Sequence, residues 1–148
     1  VKVTITPTLS VSIPEDTLSL GSMSVGQTKV TSAAVTVTND GSGVNETYSL
    51  SLANPSGWAA SQTAAGQEIY VLNAAFSNVV SGVTWNVAEH ALSTTPVACT
   101  ASKFSGDQTG TSVPYNTARK LWFQFKAPTA TSVITEQSIV VTITAQAS

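Results

Sequence analysis

Charged residues are scarce in this 148-residue sequence. Lys, Arg, Asp and Glu together make up 9% of the chain, against about 25% in ordinary soluble domains. The formal net charge is −2, and among the cations only Arg119 and Lys120 are adjacent. Because proteins that bind nucleic acid need a clustered basic surface to neutralise phosphates, we expect no nucleic-acid partner.

Residues that carry catalysis or hold metals are equally scarce. The chain has one His, His90, and one Cys, Cys99. Zinc sites need several His or Cys ligands, no Ser lies in a nucleophile-elbow motif, and the acidic residues lack the spacing of a calcium loop. The sequence therefore predicts no enzyme, no cofactor and no metal site. Cys99 is expected to be a small buried side chain, with an intersubunit disulfide as the alternative.

Long apolar segments are missing as well. No run approaches the roughly 20 residues of a membrane-spanning helix, and the chain begins without a Met or a leader-like segment. Together with few Lys and many hydroxyl side chains, this predicts an exported protein, extracellular or on the cell surface, whose leader has been removed.

Hydroxyl side chains supply most of the polar surface, because Ser and Thr account for 42 of the 148 residues. Thr favours strands, where a β-branched side chain packs well on the pleated surface. Hydroxyls are also less costly to desolvate than charged groups. Faces rich in Ser and Thr are therefore suited to contact with another subunit.

Alternating apolar and polar residues recur along the chain and predict an all-β fold. A turn signal at Asp40–Gly43 suggests that 33–39 and 47–52 pair as a hairpin. A short helix at 86–92, capped by Asn86, is the main helical signal. We predict an antiparallel β-sandwich of 7–9 strands, one domain over 1–148, with a long loop-rich insertion around 77–117. The strands are expected at 17–20, 33–39, 47–52, 68–76, 120–128 and 137–147.

The first thirteen residues, VKVTITPTLSVSI, place apolar side chains at every odd position except Pro7. A strand with one apolar face must bury that face and pair its backbone. Three arrangements satisfy this: an edge strand of its own sandwich, a two-part strand that changes sheet at Pro7, or a donor strand over residues 1–6 that is added to a neighbouring subunit. In the third arrangement Leu9–Ile13 stay in the home domain, and the residues that insert are Val1, Val3 and Ile5.

Two stretches resemble Ig-like domains of bacterial and archaeal cell-surface proteins. In 25–61 these are Gly26-x-Thr28, the strand VTVTN ending at Asn39, the strand YSLSL beginning at Tyr48, and a Pro55-x-Gly57-Trp58 corner. Residues 113–145 resemble the closing half of such domains. The resemblance implies an Ig-like sandwich and says almost nothing about function. Residues 66–112 have no counterpart in that pattern.

Three side chains are candidate contact or modification sites. Trp122 lies on the strand face opposite Leu121 and Phe123, so it is a candidate exposed aromatic contact for a glycan or another subunit. Trp58 is expected to close one open end of the sandwich, with a ligand-facing role as the alternative. Asn45 begins an Asn-Glu-Thr sequon at the predicted hairpin tip, which makes it a candidate glycosylation site.

The leading functional hypothesis is a self-assembling extracellular filament or surface-layer subunit, a head-to-tail homopolymer joined by donor-strand addition. The alternative is a secreted module that binds a glycan or a cell surface. A capsid or virion decoration protein is a third hypothesis.

Overall fold

The computed structural model describes residues 1–7, 11–41 and 43–148, and for residues 6 and 7 the backbone alone. The described part contains eleven strands and one short α-helix, in this order: β1 Lys2–Pro7, β2 Val11–Ser12, β3 Thr17–Ser19, β4 Thr28–Val30, β5 Val35–Asn39, β6 Glu46–Ala53, β7 Ala59–Ala60, β8 Ile69–Phe76, α1 Val87–His90, β9 Val97–Ala98, β10 Ala118–Lys126 and β11 Ser138–Ala147. The all-β prediction is confirmed. The strand number exceeds the predicted 7–9 because several edge strands are only two or three residues long.

Two sheets face each other. The first has the order β3-β1-β11-β6-β9, and the second has the order β2-β5-β10-β8-β7, with β4 also paired to β10. Most pairs are antiparallel, but β1 pairs with β11 in parallel, as β7 does with β8. The strictly antiparallel sandwich of the prediction is therefore wrong in these two places. Strand periodicity identifies a buried face but carries no information about the direction of the neighbouring strand.

The core lies between the sheets and follows the predicted alternation. In β10 the side chains of Leu121, Phe123 and Phe125 are fully buried, while Trp122 and Gln124 on the other face are half-buried. In β11 the inward residues are Ile139, Val141, Ile143 and Ala145, the alternate apolar positions of the strand predicted at 137–147. The two sheets thus bury one shared set of aliphatic and aromatic side chains, which is the main stabilising contribution.

The predicted hairpin between 33–39 and 47–52 is wrong. Strand β5 lies in the second sheet and β6 in the first, so the turn between them connects the two sheets instead of joining neighbouring strands. Asn39 stabilises this crossing, because its Nδ2 donates to the backbone oxygens of Val44 at 2.8 Å and Val113 at 2.9 Å. Each strand buries one face, and that requirement is met equally well by strands in opposite sheets.

The connection between β8 and β10, residues 77–117, is the loop-rich insertion of the prediction. It contains only a 3₁₀ turn at Val80–Gly82, α1 and β9. The cap of α1 is as predicted, since the Asn86 side chain accepts a hydrogen bond from Glu89 N at 2.8 Å. Part of this connection pairs with the edge of β8, through bridges of Ala91 with Asn73 and of Ser105 with Phe76, and both faces of β8 are buried after Ile69. No helix in the described part of the chain is long and apolar enough to cross a membrane.

Candidate functional site

The first strand, which the sequence analysis identified as a candidate donor strand, is paired within the sheet of its own chain. β1 pairs over six residues with β11 and over three with β3. Val3 is fully buried and Ile5 is 3% exposed, and both belong to the shared core. Val1 is half-buried against the same core. Of the three donor-strand candidates, Val3 and Ile5 thus lie on β1 and Val1 immediately precedes it, with the strand paired within a single chain.

The chain does not continue from β1 as one long strand. β1 runs parallel to β11, whereas β2 runs antiparallel to β5, with Val11 opposite Asn39. β3 then returns to the first sheet beside β1, with Thr17 opposite Thr4. The change of sheet in this part therefore lies between β2 and β3, around Pro14, as well as between Pro7 and Val11. Leu9, predicted to stay in the home domain, falls outside the described residues.

The two ends of the molecule differ in chemistry. We call the end where β5 finishes and β6 begins, together with residues 113–117, the turn end. The opposite end, where β10 finishes and β11 begins, is the groove end. The ten residues of β11 span the distance between them, which is about 30 Å at the usual rise of a strand.

A groove of about 590 Å³ opens at the groove end. Its walls are the segments after β3 and before β11, and Trp58 lies between them. Several aliphatic side chains reach solvent there, with Ile134 98% exposed and Val25 56% exposed. The polar lining consists of hydroxyl and amide groups and one carboxylate: Ser19, Ser22, Ser24, Thr131, Thr135, Gln137 and Glu136. Such a mixture suits a partly apolar ligand that also forms hydrogen bonds.

Trp58 is held in the groove by rings on one side and by a hydrogen bond at its edge. Its ring stacks on Phe125 with centroids 6.1 Å apart and tilts against Tyr70 at 6.4 Å. Its Nε1 donates to Thr131 Oγ1 at 2.9 Å. The ring is half-buried, so it packs against the core and also contributes to the groove surface.

A carboxylate that sequence reasoning missed fixes this wall of the groove. Glu68 accepts hydrogen bonds from Thr131 Oγ1 and from both the backbone N and the Oγ of Ser132. These hydrogen bonds, the backbone one foremost, lower the pKa of the Glu68 carboxyl below its usual value. Glu68 also has φ of +54°, an uncommon backbone conformation for a non-Gly residue. No sequence motif indicates this contact, because Thr131 and Ser132 are more than sixty residues away from Glu68 in the sequence.

Trp122 lies on the outward face of β10, as predicted, but it is not fully open. Its Nε1 donates to Ser77 O at 2.9 Å, and its ring is half-buried. The neighbouring outward position is occupied by Gln124, which accepts from Asn73 Nδ2 at 2.8 Å. Trp122 therefore offers part of an indole surface, beside the start of the 77–117 connection.

Asn45 is exposed at the turn end, so its side chain is accessible for glycosylation. The third sequon residue is engaged, since Thr47 Oγ1 contacts Ser148 Oγ at 2.7 Å and accepts from Ser112 N at 3.1 Å. The middle residue, Glu46, is buried at 3% exposure, and its Oε2 has no partner. The sequon is thus part of the folded start of β6 rather than of a free loop.

His90 and Cys99 are both inside the protein. His90 Nδ1 accepts from Asn86 N at 3.1 Å, which makes Nε2 the donor to Ser105 O at 2.9 Å. Cys99 is 2% exposed, and burial raises the pKa of its thiol to about 12. The His90 ring serves hydrogen bonding, and the Cys99 side chain packs in the shared core. Among the described residues, no three His, Cys, Asp or Glu side chains are grouped to hold a metal ion.

Comparison with protein-family models, with curated proteins and with solved structures gives no match to this chain.

Proposed function

We propose that this protein is a structural subunit of an extracellular assembly, a filament or surface layer, in which copies join by adding β1 to the sheet of a neighbour. The observation that carries the proposal is that β1 lies between β11 and β3, with six residues paired to β11 and three to β3. Among the described strands, none of the second sheet pairs with β1. A copy that releases β1 opens a place with strand partners on both sides.

The slot left by β1 has the properties of a strand acceptor. Without β1, one edge of β11 loses its partner over six residues, and the places of Val3 and Ile5 in the core are empty. Refilling them recovers about 1.5–3 kcal/mol for each aliphatic side chain, before ordering costs, together with the backbone hydrogen bonds. An identical strand from a second copy makes the same contacts. Strand addition of this kind is an established mode of association.

The other sheet edges support the selectivity of this contact. The described edges are formed by β3, β9, β2 and β7, each two or three residues long. Short edges are poor templates for indiscriminate pairing. The slot of β1 is longer than any of them, so a joining strand gains most there.

The test is competition with a free first strand. A synthetic Val1–Thr8 peptide should slow or block growth of assemblies in a concentrated sample, followed by light scattering and negative-stain microscopy. A matched peptide with Asp at the positions of Val3 and Ile5 should have no effect, since a charged side chain does not enter the core. Protein that stays monomeric at every concentration, or grows equally with both peptides, would contradict the proposal.

A second candidate function is supported by the groove around Trp58. A neutral glycan fits its chemistry, because an indole ring packs against a sugar face while the surrounding Ser, Thr and Gln side chains exchange hydrogen bonds with sugar hydroxyls. This is the secreted glycan-binding module of the sequence analysis, with the contact moved from Trp122 to Trp58. The variant Trp58→Phe should weaken binding in a glycan screen and Trp122→Phe should not. Equal loss in both variants would argue against the groove.

A further inference from the structure

The place where β1 leaves the fold and the place where the chain returns to it lie close together. Pro7 is opposite Ile143 in the first sheet, and Val11 is opposite Asn39 in the second. Since only residues 8–10 separate them, Pro7 and Val11 are at most about 14 Å apart. Val11 is 5% exposed and paired in β2, so it remains with its own body when β1 is released.

The limit on the distance between Pro7 and Val11 determines which surfaces meet when β1 is exchanged. A donor has to bring its own Val11 within about 14 Å of the acceptor's Pro7 position. In every copy these two positions belong to one patch, which extends from the middle of β11, at Ile143, to Val11 beside Asn39 at the turn end. Donor and acceptor therefore use the same surface, and a contact between identical patches closes on itself as a two-fold pair. A head-to-tail contact needs two different surfaces.

We propose that two copies exchange β1 reciprocally, with their turn ends adjacent, and form a closed two-fold pair. This inference rests on the strand addition proposed above and specifies its partner as a second copy in an inverted orientation. The groove ends then point outward at the two ends of the pair. A filament built from such pairs needs a second contact between one pair and the next.

Exposed apolar side chains at the turn end independently support a contact between the turn ends of two copies. Tyr115 is 53% exposed and Val44 is 47% exposed. Asn39 lies between their segments, since its Nδ2 donates to Val44 O and its own backbone oxygen accepts from Asn116 N at 2.8 Å. Val11 pairs with the same Asn39. Two turn ends that meet around Val11 therefore cover Tyr115 and Val44, which a lone copy leaves in water.

Disulfide trapping of β1 against β3 tests the exchange in the full chain. Thr4 and Thr17 are opposite each other, between the bonds Leu20 N to Val1 O and Ile5 N to Asp16 O, so they form a pair without direct hydrogen bonds. Side chains are closest in such pairs, which suits a cystine. Thr4→Cys with Thr17→Cys, in a Cys99→Ala background, links two chains when β1 is exchanged and stays within one chain when it is not.

The matched control is Thr38→Cys with Ala118→Cys in the same background. These residues are opposite each other on β5 and β10, which belong to one body in every state. Their disulfide should remain within a single chain. We expect the β1–β3 variant, oxidised in its assembled fraction, to run at twice the 15.2 kDa chain mass without reductant, and the control to run as a monomer.

The other outcomes overturn different parts of the argument. A ladder of larger linked species would retain strand addition and overturn the closed pair. Single-chain bands from a sample that light scattering shows to be assembled would overturn strand exchange, and a sample that never assembles would overturn the proposed function itself.

The turn-end contact is tested by a substitution of Tyr115. Tyr115→Ser should raise the dissociation constant of the pair about tenfold, as expected for loss of a buried aromatic contact. An unchanged dissociation constant would show that Tyr115 does not take part in the contact between the two copies.

Discussion

Val3 of β1 lies in register with Ile139 of β11, and both side chains are fully buried in the same core. The two strands come from opposite ends of the described chain and run parallel. This pairing gives the first strand a role in the stability of a single copy as well as its proposed role between copies.

The first prediction concerns the contribution of β1 to stability. Ile5→Ala should lower the free energy of unfolding by about 2–5 kcal/mol, since Ile5 is 3% exposed and its loss leaves a cavity. Thr4→Ala, on the outer face of the same strand, should cost less than about 1 kcal/mol. Urea denaturation followed by tryptophan fluorescence measures both. Equal values for the two variants would mean that β1 is not held in the core.

The second prediction concerns Trp58. Trp58→Ala should destabilise the protein by about 3 kcal/mol, the lower end for removal of a large aromatic side chain, because its ring packs on Phe125 and Tyr70 but is only half-buried. Trp58→Phe keeps a ring and loses the bond to Thr131, so it should cost about 1 kcal/mol. Thermal unfolding by circular dichroism compares them. A Phe variant as unstable as the Ala variant would show that the ring contacts are not the main contribution.

The third prediction concerns pH. The pKa of Glu68 is lowered in the folded state, chiefly by the backbone hydrogen bond from Ser132. The ionised form therefore adds stability that is fully present above the usual pKa of about 4.5 and is lost as the pH falls through the lower folded value. Glu68→Gln should flatten the dependence of the melting temperature on pH below about pH 4.5. If wild type and variant change in parallel with pH, Glu68 does not contribute in this way.

The fourth prediction concerns Cys99. Because burial raises the pKa of its thiol to about 12, the native protein should not react with a thiol reagent at pH 8, where an exposed cysteine with a pKa of about 8.5 reacts readily. One thiol per chain should react after unfolding in guanidinium chloride. Fast labelling of folded protein, or a Cys99-linked dimer, would instead support the intersubunit disulfide.

The sequence alone identified the strands with the strongest alternation. In β10 and β11 the inward residues are the alternate apolar positions of the predicted strands, because a period of two shows directly which face is buried. The Asn86 cap was also predicted from the sequence, because its hydrogen bond joins residues only three positions apart. These features depend on neighbours along the chain.

Only the tertiary structure shows which distant segments pair with each other. The parallel neighbour of β1, the placement of β5 and β6 in opposite sheets, and the hydrogen bonds of Glu68 to Thr131 and Ser132 all join residues that no local pattern connects. A buried face can be satisfied by any complementary strand or sheet, whether near or far in sequence and whether parallel or antiparallel. The choice among them depends on how all the apolar faces and backbone groups are satisfied together, and a single strand pattern does not contain that information.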